Sequence, residues 1–156
     1  MYNKILAPLD GSNLAECAIE HVRDIAKGCG IPEVIFLYVV DITHNAFLVA
    51  AYETPNVQLL KQIDDAQREG AKVYLTKVVD ATKKDGLDAK AVFLEGSPAD
   101  SIVDYAESNG VDLIVMSTHG RSGVTRFALG SVTDKVIRTV SVPIMVITPA
   151  ECRAKI

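Results

Sequence analysis

Short apolar segments alternate with longer segments of helical periodicity along this chain. Apolar runs predict five strands, at Lys4 to Leu9, Val34 to Val40, Lys90 to Leu94, Val111 to Met116 and Pro143 to Ile147. The second run, Val-Ile-Phe-Leu-Tyr-Val-Val, shows no alternation of polar and apolar residues. Such a run is typical of a parallel strand that helices cover on both faces, so we expect it near the centre of a sheet.

The segment after the first strand predicts a turn followed by a helix. Asp10-Gly11-Ser12-Asn13 are turn and cap residues, and Asn13 with Glu16 three residues later resembles a capping box. Apolar residues then recur at helical spacing. His21 lies among them, so we expect this histidine to be packed in the core.

Further helices are predicted between the later strands. Residues from Leu60 to Ala81 follow an amphipathic helical pattern, and Ser97-Pro98-Ala99-Asp100 is a typical helix start that leads to a stop at Asn109-Gly110. A last helix is predicted from Ser131 to Val140. The segment from Asp41 to Pro55 has a mixed pattern, for which we predict a loop with a partial helical turn.

Strands that alternate with helices predict an α/β fold with a parallel sheet. We expect residues 1–156 to form one domain, a Rossmann-like doubly wound sandwich with five parallel strands in the order 3-2-1-4-5 and helices on both faces. In this order, strands two and three are added on one side of strand one, and strands four and five are added on its other side. Ligands bind in the crevice at the carboxyl ends of the strands at such a reversal, which is where Asp10 to Asn13 and Ser117 to Ser131 would meet.

Composition argues against nucleic acid as the partner. Lys and Arg number 16 against 20 Asp and Glu, a net charge of −4. That sign is wrong for a protein held by phosphate backbones, and an aromatic content of 6% without Trp leaves few platforms for stacked bases.

Cysteine spacing and hydropathy argue against a metal or redox centre, a secreted protein and a membrane protein. Cys17, Cys29 and Cys152 are widely spaced and form no Cys-x-x-Cys pair, so we expect no structural metal and no thioredoxin-like centre. Asp10 interrupts the amino-terminal apolar run before a signal-peptide core develops, and no apolar run reaches the roughly 20 residues of a membrane helix. We therefore expect a cytoplasmic protein.

The loop from Ser117 to Ser131 is rich in glycine and hydroxyl side chains and contains two arginines. Backbone N–H groups at the start of a helix favour an anion, and glycines let that backbone approach phosphate oxygens, so the loop is interpreted as a phosphate cradle. The alternative is a surface loop in which Gly130 serves only a tight turn. The loop lacks the Gly-Lys-Ser/Thr ending of a Walker A motif and the Gly-x-Ser-x-Gly spacing of a hydrolase.

The motifs resemble the universal stress protein family over nearly the whole chain. The matching segments are Ala7-Pro8-Leu9-Asp10-Gly11-Ser12, Val39-Val40-Asp41, and Met116 to Gly123 continuing to Gly130-Ser131-Val132. The ATP-binding branch of this family carries Gly, two residues, Gly, nine residues, then Gly and Ser or Thr. Gly120, the nine following residues and Gly130-Ser131 match this motif, whereas Ser117 replaces the first glycine.

The resemblance implies an adenine-nucleotide site. Asp10 would hold the ribose hydroxyls or a metal bound to the phosphates, and the backbone near Val39 and Val40 would contact adenine. The implied ligand is ATP or AMP, with Mg²⁺ accompanying the phosphates. The full set of implied nucleotide-binding residues is Pro8, Leu9, Asp10, Val39, Val40, Met116, Ser117, His119, Gly120, Arg121, Gly123, Gly130, Ser131, Val132 and Thr133.

The resemblance also implies a homodimer, formed through the apolar fifth strand with Val142, Ile144 and Val146. We expect a nucleotide-dependent regulator in the stress response, and at most a slow ATPase or phosphotransfer activity, because no residue stands out as general base or nucleophile. The alternative is a dimeric interaction protein that works without nucleotide because its loop has lost ATP binding. Ser117 is the feature that favours this alternative.

Overall fold

The computed structural model describes residues 2–41, 57–119 and 129–149, and these contain five strands and four helices. The strands are β1 (Lys4–Leu9), β2 (Glu33–Asp41), β3 (Ala89–Gly96), β4 (Leu113–Ser117) and β5 (Ile144–Ile147). The helices are α1 (Asn13–Cys29), α2 (Val57–Lys84), α3 (Pro98–Ser108) and α4 (Ser131–Thr139). The predicted loop between Asp41 and Pro55 lies, after its first residue, outside the described residues.

The strands form one parallel sheet in the order β3-β2-β1-β4-β5. The predicted order and the α/β class are therefore confirmed. The chain builds one half of the sheet outward from β1 to β3 and then returns to the other side of β1 with β4. The reversal places the carboxyl ends of β1 and β4 side by side.

Helices cover both faces of the sheet. Alternate residues of β2 point to opposite faces, as the period of two in a strand requires. Phe36 packs in the core beneath α1 and α2 together with Leu75, whereas Leu37 packs in the core beneath α3 and α4 together with Ile102. This double burial explains why the second apolar run shows no alternation.

Helix α1 begins one residue earlier than predicted. Ser12, not Asn13, is the cap residue, because its Oγ accepts the Ala15 N–H at 3.2 Å and its backbone is extended. His21 is exposed, so the prediction of a core histidine was wrong. The apolar face of α1 is instead filled by smaller residues such as Ala18 and Val22, each 0% exposed.

Strands β2 and β3 each begin one residue earlier than predicted, at Glu33 and Ala89, and two strands begin later. β4 begins at Leu113 rather than Val111, because the Val111 N–H still closes the preceding helix by donating to Ala106 O at 3.2 Å. β5 begins at Ile144 rather than Pro143, which has no N–H to donate. Helix α2 is continuous over 28 residues.

Candidate functional site

The candidate crevice lies where the regular pairing of the two central strands, β1 and β4, ends. The ladder between β1 and β2 registers all residues from Lys4 to Leu9, whereas the ladder between β1 and β4 registers Ile5 with Leu113 and Leu6 with Ile114 and stops there. Pro8 follows in β1 and offers no N–H for pairing. The carboxyl halves of β1 and β4 are thus not joined by regular pairing, at the position where a doubly wound fold binds its ligand.

The turn after β1 forms one wall of this crevice. Gly11 has a φ of +79°, which a residue without a side chain adopts at low cost. The Ser12 N–H and the Ser12 hydroxyl both donate to Asp10 Oδ1, at 2.9 and 2.6 Å. Asp10 is half-buried. The carboxylate is therefore held by the cap of α1 at the mouth of the crevice.

The end of β4 forms the opposite wall, and it is unusually polar for buried structure. Ser117, Thr118, His119 and Thr133 are 5%, 6%, 7% and 4% exposed. Buried polar groups require partners, and these four bond largely to one another. Thr133 Oγ1 donates to Ser117 O at 2.9 Å, and Thr118 Oγ1 lies 2.8 Å from His119 Nδ1.

The start of α4 faces this polar strand end at close range. The Gly130 N–H donates to Thr118 O at 2.8 Å, and a Cβ at position 130 would lie only 3.0 Å from that same oxygen. A larger residue would push α4 away from β4. Gly130 is also the N-cap residue and supplies no capping side chain. The first N–H groups of the helix therefore have no acceptor within the helix, which is the arrangement that favours an anion.

The first turn of α4 also contains an acidic side chain, whose negative charge is offset by an arginine. Asp134 lies in the first turn of α4 and accepts from Arg138 Nε at 3.0 Å with each of its two oxygens. The arginine lowers the pKa of Asp134. Because the aspartate charge is matched by this arginine, less of it opposes an anion at the amino end of the helix.

The structure brings together most of the implied nucleotide residues that it describes. Pro8, Leu9 and Asp10 end β1, and Met116 and Ser117 end β4. Val39 packs toward α3 and α4, and Val40 packs toward α1 and α2, near the carboxyl end of β2. Ser131, Val132 and Thr133 form the first turn of α4. Gly120, Arg121 and Gly123 lie outside the described residues.

The sequence analysis places Ser12 and Thr118 on the rim of the crevice but assigns them no role, and it does not identify Cys17. The Cys17 thiol donates to Ser117 Oγ at 3.7 Å and so links α1 to the end of β4. Thr118 accepts from Gly130 through its carbonyl. The signal for Thr118 was available, since a hydroxyl residue directly after a predicted central strand falls at the carboxyl edge; the Cys17 contact joins residues 100 positions apart and had no local signal.

An aromatic group lies next to Asp10 on the face covered by α1 and α2. Tyr38 stacks on Phe93 with ring centroids 6.1 Å apart and meets Tyr74 edge-on at 6.4 Å. Among the described residues, the buried Tyr74 hydroxyl has no partner within hydrogen-bond geometry, although the Glu16 carboxylate is close enough to act on it. Its burial, with the nearby charges of Glu16 and Asp10, raises the pKa of Tyr74 above its usual range, so this phenol stays neutral.

At one edge of the sheet, β5 pairs on one side with β4. Of the side chains predicted to form a dimer interface, Val142 and Ile144 pack against the core under α3 and α4, and Val146 is half-buried. Met145 is 38% exposed on the same strand. An edge strand with apolar side chains is a surface that proteins usually cover.

The described residues limit other kinds of site. Within residues 2–41, 57–119 and 129–149, no group of three or more His, Cys, Asp or Glu side chains could hold a metal ion. Over the same ranges, no helix has the length and apolar character needed to cross a membrane.

This chain is similar to known proteins in both sequence and fold. A sequence model of the universal stress protein family matches residues 1–148. Universal stress protein MJ0531 of Methanocaldococcus jannaschii is 35% identical over 147 residues, which cover 94% of this chain and 82% of the relative. The solved structure of protein MJ0577 from the same organism has a TM-score of 0.81 and 32% identity, with 96% of this chain and 97% of that chain covered.

A more distant structure shares the fold. It is a universal stress protein family member from Arabidopsis thaliana with AMP bound, with a TM-score of 0.65 and 18% identity, and the match covers 96% of this chain and 94% of that one. The family match over nearly the whole chain, the identity to curated members and the strand order lead to one conclusion: this chain belongs to the universal stress protein family.

Proposed function

We propose that this chain binds an adenine nucleotide, ATP or AMP, in the crevice between β1 and β4. The observation that carries the proposal is the position of Asp10 on one wall and, on the other, the start of α4, where the N-cap Gly130 has no side chain to cap the helix, across strands whose pairing has ended. A carboxylate suits ribose hydroxyls or a nucleotide-bound Mg²⁺, and free helix N–H groups suit a phosphate.

The roles in this proposal follow the order of groups along a nucleotide. The phosphates would lie at the first turn of α4, near Ser131 and Val132, with Gly120, Arg121 and Gly123 completing the cradle. The ribose would lie at Asp10. Adenine would lie against the carboxyl end of β2, beside Val39 and Val40. The Arabidopsis structure supports the proposal because it has the same fold and was solved with AMP bound.

The proposed activity is binding as a signal, not efficient catalysis. We propose a nucleotide-dependent regulator of the stress response, acting in the cytoplasm, in which residues 1–156 form one domain. Any ATPase or phosphotransfer activity would be slow. Mg²⁺ would arrive with the phosphates rather than as a resident ion.

The decisive experiment is a calorimetric titration of nucleotide-free protein with ATP and Mg²⁺. We expect saturable binding near one nucleotide per chain. Asp10→Asn should weaken it by about tenfold or more, because the amide keeps an oxygen for Ser12 but loses the charge that holds hydroxyls or Mg²⁺. Asp104→Asn, an exposed position on α3, makes the same charge change and should bind as the unaltered chain does.

Failure of the titration would favour the second function. If the unaltered chain binds no nucleotide up to millimolar ATP, the proposal is wrong, and the dimeric interaction protein that works without nucleotide becomes the better description.

We also propose that two copies of this chain form a homodimer through the exposed edges of their β5 strands. The support is the apolar edge strand with Met145 exposed. Light scattering after gel filtration should give twice the chain mass, and Met145→Lys should give the chain mass while retaining the helical circular dichroism signal. A monomeric unaltered chain would overturn the dimer without affecting the nucleotide proposal.

A further inference from the structure

Ser117 occupies the position where the nucleotide motif of the resembling family has glycine, yet its backbone needs no glycine. It ends β4 as a regular strand residue, and no described residue other than glycine has a positive φ. Its side chain follows the strand alternation, because Leu113 and Val115 point to the face under α1 and Ser117 contacts Cys17 on that helix. The serine therefore introduces no backbone strain and points away from the side where α4 begins.

The Ser117 hydroxyl instead forms a local anchor. Its oxygen accepts the His119 N–H at 3.2 Å and the Cys17 thiol at 3.7 Å. A serine that binds the backbone two residues later stabilises a turn, and a glycine has no atom for this bond. The Ser117 carbonyl accepts from Thr133 at 2.9 Å, so the same residue also contacts the first turn of α4.

The anchor acts at the position where the chain leaves the sheet for the predicted phosphate loop. His119 is the residue directly before Gly120, and Thr118 between them is fixed by an N–H donated to Ile147 O at 2.8 Å and by its own carbonyl, which accepts from Gly130. With the His119 N–H also engaged, hydrogen bonds hold the backbone of residues 117–119, the last described residues before the loop.

We propose that Ser117 is a positioning residue that pre-orders the start of the nucleotide loop by holding the His119 amide. This inference rests on the proposed function. It reverses the expectation from the motif, because Ser117 strengthens nucleotide binding and restoring the motif glycine weakens it. A ligand that meets an ordered loop start loses less conformational freedom on binding, and its affinity rises accordingly.

The test combines amide hydrogen exchange with ATP titration on the full chain. In nucleotide-free Ser117→Ala and Ser117→Gly, exchange at the His119 amide should accelerate by about tenfold, the effect of one lost hydrogen bond. Exchange at core amides such as Phe36 should stay within about twofold. ATP affinity should fall by about fivefold in both variants. Asp104→Asn, an exposed position on α3 that keeps the serine, is the control and should leave the His119 exchange and the affinity near their original values.

The outcomes separate this inference from the proposed function. Unchanged His119 exchange in Ser117→Ala overturns the anchor, whatever the affinity. Tighter ATP binding by Ser117→Gly overturns the positioning role, even if exchange accelerates. Lack of ATP binding by the unaltered chain overturns the proposed function and the affinity effect together, whereas the exchange result still decides whether the anchor exists.

Discussion

Gly130 offers the sharpest perturbation of the contact between β4 and α4. Its φ of −59° and ψ of 147° are accessible to alanine, so Gly130→Ala introduces no backbone strain. The new Cβ, however, would lie 3.0 Å from Thr118 O, about 0.5 Å inside the usual contact distance. The obstacle is backbone and cannot rotate away. The oxygen is also fixed by the Gly130 N–H at 2.8 Å.

The expected cost follows from that overlap. Overpacking against a fixed neighbour costs about 1–3 kcal/mol, whereas a Gly→Ala change without a clash gains about 0.4–1 kcal/mol through the unfolded state. We therefore expect Gly130→Ala to lower the free energy of unfolding by about 1–2 kcal/mol. Gly70→Ala is the matched control, since Gly70 lies within α2 and its Cβ would have nothing within 4 Å. The control should gain about 0.5–1 kcal/mol.

Urea denaturation followed by circular dichroism measures both variants. The two midpoints should move in opposite directions with unchanged slopes. A Gly130→Ala protein as stable as the unaltered chain, beside a stabilised Gly70→Ala protein, would refute the close approach of α4 to β4.

Other substitutions test separate contacts. Ser12→Ala removes the cap of α1 and should cost about 1 kcal/mol in the same denaturation assay. Thr133→Val keeps the shape but leaves the Ser117 carbonyl without this buried donor, so we expect a loss of about 1–3 kcal/mol; a loss below 0.5 kcal/mol would contradict the bond. Tyr74→Phe removes a buried hydroxyl that has no partner within hydrogen-bond geometry among the described residues, so stability should stay equal or rise by about 1 kcal/mol; marked destabilisation would show that the hydroxyl is bonded, with Glu16 as the nearby acceptor. Two lysines lower the pKa of Glu33, so its contribution to stability is complete above the unfolded pKa near 4.5 and is lost as pH falls through the lower folded value. The stability difference between the unaltered chain and Glu33→Gln should therefore shrink from pH 6 to pH 3, and a constant difference would exclude this linkage.

The sheet could be predicted because its signals are local. The unbroken apolar run of β2 indicates burial on both faces of the sheet. The turn residues after β1 indicate where β1 ends and α1 begins. The cap of α1 was misplaced by one residue because Ser12 and Asn13 have similar cap preference, and only the bond from Ala15 separates them. His21 was misassigned because a helix position at the margin of an apolar face can turn toward solvent.

The candidate site was predictable in its location but not in its bonding. Periodicity and turn chemistry place Asp10 and Gly130 at the same edge of the sheet. They cannot show that Gly130 lies against Thr118, because that proximity depends on how closely α4 packs on β4. The role of Ser117 depends likewise on a strand conformation and on a cysteine on another helix, which no spacing in the sequence encodes.

The ladder between β1 and β4 is short, so this junction, called here the seam, is the place where the two halves of the sheet are joined by the fewest backbone pairs. On one side, β1, β2 and β3 are joined by long ladders, and on the other, β4 is joined to β5 along its last four residues. Between them, regular pairing is confined to Ile5 and Leu6, so helix α1 must bridge the seam through contacts such as Cys17 with Ser117. A molecule bound to Asp10 and to α4 together would act as a clasp across this seam. Its occupancy would then set how rigidly the two halves of the sheet move as one body.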